Sequence, residues 1–123
     1  MSPRIIICDD VFVNARLIED VLRDTGYSNL VAFLNPTEVV KAVYGGDIPE
    51  LVITDFSMPE IDGVSLLCTL STMVSELSGI IVSAEADSVL KKSRDYPVID
   101  KSDPCFVEVL LNHVESSLKG CLQ

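Results

Sequence analysis

The stretch LVITDFSMPEIDG, residues 51–63, opens on a run suited to a covered strand, Leu51–Thr54, and turns acidic at Asp55. It leads into a segment where Leu67, Leu70, Val74 and Leu77 recur at helical spacing. An apolar run, rather than a polar and apolar alternation, is what a parallel strand buried on both faces requires. Strand, terminal carboxylate and amphipathic helix make one β-α unit. The rest of the chain repeats that unit on either side.

Strand-like runs precede it at Ile5–Cys8 and Leu30–Phe33 and follow it at Ile80–Ser83 and Pro97–Ile99. The first intervening helix carries Leu17, Ile18, Val21 and Leu22 on one face and stops at Gly26. The second opens with Asn35 as N-cap, Pro36 at the first helical position and Glu38 in a capping-box position, and ends at Gly45 and Gly46. The last is expected to start at Asp103 and Pro104, with Val107, Leu110, Leu111, Val114 and Leu118 facing inward. Between Ala84 and about Ser93 only a short fourth helix fits, with Val89 and Leu90 as its apolar content. Five such repeats without a low-complexity linker predict a doubly wound α/β domain, its parallel sheet covered by helices on both faces.

The 123 residues are expected to form a single domain, 1–123, large enough to fold without disulfides or a structural metal. No apolar run reaches the roughly 18–20 residues of a membrane span, and Ile5–Cys8 is too short for the core of a signal peptide. Cys8, Cys68, Cys105 and Cys121 lie too far apart for a paired metal motif and suit a reducing compartment as free thiols. These features predict a soluble, cytoplasmic protein without membrane association. Nineteen acidic against nine basic residues give a net charge of −10, which argues against direct nucleic-acid binding. The acidity supplies solubility, or marks a place where a divalent cation or a basic partner binds.

In open α/β sheets, ligands bind outside the carboxyl ends of the strands. Asp9 and Asp10 follow the first strand, Asp55 the third, Ser83 closes the fourth, and Lys101 follows the fifth. Taken singly, each has an ordinary reading: Asp10 as an N-cap, Ser83 as a cap or turn residue, Lys101 as a solvated charge. Capping does not account for three carboxylates, a hydroxyl and an ammonium on one sheet edge. Close carboxylates raise one another's pKa. A cation relieves that conflict, and hard oxygen ligands suit Mg²⁺. Asp55 is then placed to attack a phosphoryl group and form an acyl phosphate, with Lys101 as a positive point charge and Ser83 as a hydrogen-bond donor.

The acid pair Asp9-Asp10, the run from Asp55 to Gly63, Ser83 and Lys101, in that order and over essentially the whole chain, resemble the receiver domains of two-component response regulators. The resemblance implies a flavodoxin-like fold with strand order 2-1-3-4-5 and phosphoryl transfer from a histidine kinase or phosphotransfer protein. Asp55 would be the phosphoacceptor. Asp10 would bind Mg²⁺ directly, Asp9 would orient a metal-bound water, and the Ser57 backbone carbonyl would be a further metal ligand. Ser83 would hydrogen-bond the phosphoryl group and Lys101 would pair with it. Pro59 and Gly63 would shape the loop after strand three, and Ser57 and Glu85 would flank the path of the hydrolytic water. Enzymatic activity would be confined to self-phosphorylation and autodephosphorylation at Asp55.

The chain departs from the family pattern at three points. Ser102 stands where proline usually follows the lysine, so a trans Lys101–Ser102 peptide is expected. Val98 occupies the position of the strand-five aromatic, with Tyr96 two residues earlier on the same face. The segment from Ser83 to Lys101 is also short. The readout is therefore expected to pass through the loop after Ser83 and the short fourth helix. An alternative is a receiver fold serving as a docking module without phosphorylation. Haloacid-dehalogenase-type phosphatases also use an aspartyl phosphate, but their nucleophile follows the first strand. The chain is expected to be either a stand-alone receiver that acts on a downstream effector protein by contact, or a piece of a larger regulator or hybrid kinase with a covalently linked output domain.

Overall fold

The computed structural model describes residues 2–93 and 95–119. Its elements alternate from end to end: β1 (Ile5–Cys8), α1 (Phe12–Thr25), β2 (Leu30–Phe33), α2 (Pro36–Tyr44), β3 (Leu51–Asp55), α3 (Gly63–Ser71), β4 (Ser78–Ser83), α4 (Ala86–Leu90), β5 (Val98–Asp100) and α5 (Phe106–Leu118). The five strands form one parallel sheet in the order β2-β1-β3-β4-β5, as the resemblance implies.

The period-two geometry of a strand divides the core. Ile5 and Ile7 of β1 point to one face and pack with Ile18 and Leu22 of α1 and Leu110 and Val114 of α5. Ile6 and Cys8 point to the other and pack with Val39 and Val43 of α2, Leu66 and Leu70 of α3, and Val89 of α4. β3 is wholly buried, which is why its sequence reads as an unbroken run.

Several helix boundaries differ from the sequence expectation. α3 ends at Ser71, yet Val74 stays buried because one further turn carries its N–H to the Leu70 carbonyl at 2.9 Å. Leu77 lies beyond the helix, just before β4. α5 begins at Phe106 rather than Asp103. The Asp103 carboxylate accepts from the Cys105 N–H at 2.8 Å and closes a turn ahead of the helix. Leu17 and Val107, expected inside, are exposed, since each lies off the stripe its helix buries. Asn35 does cap α2, accepting from the Thr37 N–H at 2.7 Å, but the Glu38 carboxylate lies toward Lys41 and leaves the capping box half formed. α4 spans only five residues, shorter even than expected, with Val89 its one buried residue. Among the described residues, no helix is long and apolar enough to cross a membrane. Cys8 is buried and Cys68 and Cys105 are exposed, all three as free thiols, while Cys121 lies outside the described residues.

Candidate acidic pocket at the strand ends

The register of the sheet brings the polar strand ends to one edge. Cys8 pairs with Thr54, so Asp9 and Asp55 emerge side by side. Asp55 pairs with Val82, next to Ser83, and Ser83 pairs with Asp100, next to Lys101. Asp9 is fully buried and Asp55 nearly so, whereas Asp10 is exposed. Carboxylate oxygens of Asp9, Asp10 and Asp55 lie within 4.8 Å of one another.

Lys101 reaches into this edge from the end of β5. Its Nζ lies 2.9 Å from Asp55 Oδ1 and 3.1 Å from Asp9 Oδ2. Its backbone N–H donates to the Ser83 carbonyl at 2.9 Å, fixing the chain that carries it. The Lys101–Ser102 peptide is trans, as are all peptide bonds among the described residues. Asp9 is held at both oxygens, since Oδ1 accepts from the Val11 N–H at 2.9 Å. Asp55 Oδ1 also accepts from the Phe56 N–H at 2.9 Å, so both contacts fall on one oxygen and Oδ2 takes neither. Ser83 Oγ accepts from the Glu85 N–H at 2.9 Å, a turn contact of the ordinary kind. A hydroxyl that accepts this way keeps its own proton to donate elsewhere.

Electrostatics follow from this packing. Burial pushes the Asp55 carboxyl up, Lys101 pulls it back, and the Asp9 charge adds to the rise. Burial disfavours the Lys101 ammonium, but Asp55 and Asp9 more than offset that, and its pKa is raised. The Cys8 thiol, buried and beside Asp9, is pushed up to about 12. It stays protonated, 3.5 Å from the Met58 sulfur, and offers the pocket no soft ligand.

The loop from Phe56 to Asp62 shapes the mouth of the pocket. Gly63 N–H donates to the Phe56 carbonyl at 2.8 Å, and a Cβ at Gly63 would sit 2.5 Å from the Asp55 carbonyl oxygen. Only glycine fits so close to that backbone. Asp62 caps α3 through the Ser65 N–H, and Glu60 adopts φ 76° with its carboxylate accepting from the Thr37 hydroxyl of α2. Ser57 lies exposed in this loop, and Glu85 is exposed at the start of α4.

Sequence reading placed Asp9, Asp10, Asp55, Ser83 and Lys101 on one edge, and the structure brings them there. It missed the dual grip of Lys101 on Asp9 and Asp55, and the part played by Phe56. The Phe56 N–H bonds both Asp55 and the Val82 carbonyl, and its ring lies 5.3 Å from the Lys92 ammonium. The only signal for Phe56 was its place directly after Asp55.

Fold and site together define a doubly wound α/β domain with an acidic, lysine-bridged pocket at the carboxyl ends of its strands. The response regulator receiver domain model matches residues 5–95, and the chain belongs to that family, the receiver domains of two-component systems. The match stops short of Lys101, which the fold nonetheless delivers to the pocket. Among curated relatives, the chemotaxis protein CheY of Bacillus subtilis is 31% identical over 84 residues, covering 68% of this chain and 69% of its own. The chemotaxis protein CheY of Pseudomonas aeruginosa is 29% identical over 85 residues, 68% of each chain. Among solved structures, the N-terminal domain of a response regulator/sensory box/GGDEF protein from Carboxydothermus hydrogenoformans superposes with a TM-score of 0.81 at 26% identity, covering 94% of both chains.

Proposed function

We propose that this chain is a phosphoacceptor receiver in a two-component phosphorelay, with Asp55 taking a phosphoryl group from a phosphohistidine on a histidine kinase or phosphotransfer protein. The observation that carries the reading is the Lys101 ammonium bridging Asp55 and Asp9 in a pocket of three carboxylates. Burying Asp9 and Asp55 beside a single ammonium is costly for a scaffold and useful for a site that must handle a more highly charged ligand.

The donor set fits Mg²⁺. It consists of hard oxygens, the carboxylates lie close enough to share an ion, and the neighbouring thiol stays protonated. Asp10, Asp55 and the Ser57 carbonyl would hold the ion directly. Asp9, with one oxygen on Val11 and the other on Lys101, would orient a bound water. When bound, Mg²⁺ supplies positive charge to the phosphoryl oxygens and screens the carboxylates from one another.

Asp55 Oδ2 is the nucleophile in this reading. It forms a bond to phosphorus as the bond from phosphorus to the imidazole nitrogen breaks; with a proton on the other ring nitrogen, the products are an acyl phosphate on Asp55 and a neutral histidine on the donor. The Phe56 N–H holds the other oxygen and fixes the direction of attack. Lys101 moves from Asp55 Oδ1 onto a phosphoryl oxygen. Ser83 donates its free proton to another while keeping its bond to the Glu85 N–H.

Incubation with acetyl phosphate and Mg²⁺ tests this by intact-mass spectrometry. One phosphoryl group should be added to the native chain and none to Asp55→Asn. The five-residue α4 is the observation that favours a docking module without phosphorylation, and that reading expects no label on either protein.

A further inference from the structure

Val98 stands on β5 where the family pattern has an aromatic. Val98 pairs with Ile81, and Tyr96 covers Gly79, where a Cβ would lie 2.8 Å from its ring. Gly79 is four residues from Ser83 along β4, about 13 Å at the usual strand rise. β5 itself, Val98–Asp100, sets no aromatic beside Ser83. Phe56, directly after Asp55, is an aromatic tied to the pocket by its backbone.

Phe56 has contacts in two directions. Its N–H donates to Asp55 Oδ1 at 2.9 Å and to the Val82 carbonyl at 3.0 Å, so its backbone follows the Asp55 carboxylate. Its ring is half-buried in the cluster that contains Val89, the one buried residue of α4. Over that ring, 5.3 Å from its centre, lies the ammonium of Lys92. Lys92 belongs to the turn that ends α4, with its N–H on the Val89 carbonyl at 2.9 Å. It enters none of the ion pairs among the described residues.

We infer that Lys92 is a positioning residue that reports the state of Asp55 to α4, with the Phe56 ring as its resting place. The inference rests on the reading of Asp55 as the phosphoacceptor. In the unmodified chain the ring quadrupole holds the ammonium, an attraction that is modest at an exposed site. An acyl phosphate on Asp55 places strong negative charge beside the residue that carries the ring, and the ammonium transfers from the ring to that charge. The turn that bears Lys92 moves with it. α4, with Val89 its one buried residue, has little packing to resist the displacement. Two local arrangements of one lysine thereby bias the position of a helix, as a switch requires.

Nuclear magnetic resonance of the full chain tests the inference, with beryllofluoride and Mg²⁺ as the phosphoryl mimic. Before addition, the Lys92 ε-methylene protons should resonate upfield through the Phe56 ring current, and Phe56→Leu should abolish that displacement. At saturation the Lys92 signal should return to the ordinary lysine position while the α4 amides shift. Lys92→Met should bind the mimic more weakly, because the transferred ammonium is lost, and at saturation, read at the Asp55 and Phe56 amides, it should lose most of the α4 response. Binding with an unmoved Lys92 signal, or a full α4 response in Lys92→Met, would overturn the inference alone. Failure of the native chain to bind the mimic would overturn the reading of Asp55 and the inference with it.

Discussion

The Lys101 ammonium lies between two carboxylates from different strands, 2.9 Å from Asp55 and 3.1 Å from Asp9. The contact joins β1, β3 and the end of β5 at the carboxyl edge of the sheet. It also leaves the pocket net negative, because one ammonium faces three carboxylates.

That imbalance predicts a response to metal. Millimolar Mg²⁺ should raise the melting temperature by mass action, and each 1 kcal/mol of binding linkage corresponds to about 4 °C in a domain of this size. Asp10→Ala should remove most of the rise and prevent phosphorylation. Differential scanning fluorimetry across a Mg²⁺ titration measures it. A melting temperature indifferent to the metal would count against the site.

Gly63 predicts a steric effect. Alanine there would drive a Cβ to 2.5 Å from the Asp55 carbonyl oxygen and push the loop off the strand. Gly63→Ala should cost about 1–3 kcal/mol in urea denaturation and slow labelling by acetyl phosphate. An unaltered midpoint and rate would show that the loop accommodates the methyl freely.

Glu85 stands at the start of α4, exposed, with its N–H on Ser83 Oγ. We propose that its carboxylate orients the hydrolytic water. Glu85→Ala should change the autodephosphorylation rate several-fold, followed by loss of radiolabel after removal of the donor. Equal decay rates would leave Glu85 a solvated helix-start residue.

At the opposite end of the sheet, Arg4 forks onto Asp47 through two nitrogens at 2.9 and 2.7 Å. The hydrogen bonds from Arg4 hold the Asp47 carboxyl below its ordinary range. A depressed folded pKa contributes stability above the unfolded value, and that contribution fades as pH falls through the folded value. Asp47→Asn should therefore lose about 1 kcal/mol at neutral pH, with the deficit closing below roughly pH 4. Urea melts at pH 7 and pH 3 give the comparison. A deficit of equal size at both would exclude the ion pair as its cause.

The sheet was legible because buried parallel strands leave unbroken apolar runs. Each run from Ile5–Cys8 to Ile80–Ser83 lies within a strand found in the structure, although β4 starts earlier, at Ser78. Helix faces were less legible. α1 carries Phe12, Val13 and Leu17 outward as well as Ile18 and Leu22 inward, so spacing alone does not reveal which stripe the sheet covers. The close of α3 was hidden by Val74, buried from a turn outside the helix. At the site, topology determines which strand ends meet, and strand ends can be read from sequence. Side-chain rotamers determine that Lys101 grips Asp9 as well as Asp55, and that Ser83 takes the Glu85 N–H. Spacing carries no record of a rotamer.

The central claim is that Asp55 alone becomes an acyl phosphate. Reduction of the freshly phosphorylated chain with borohydride converts an aspartyl phosphate to homoserine, which peptide mass spectrometry locates. Homoserine at position 55, and at no other acidic residue, is the predicted result. A phosphorylated chain with homoserine at Asp9, Asp10 or elsewhere, or with none at position 55, would contradict the account.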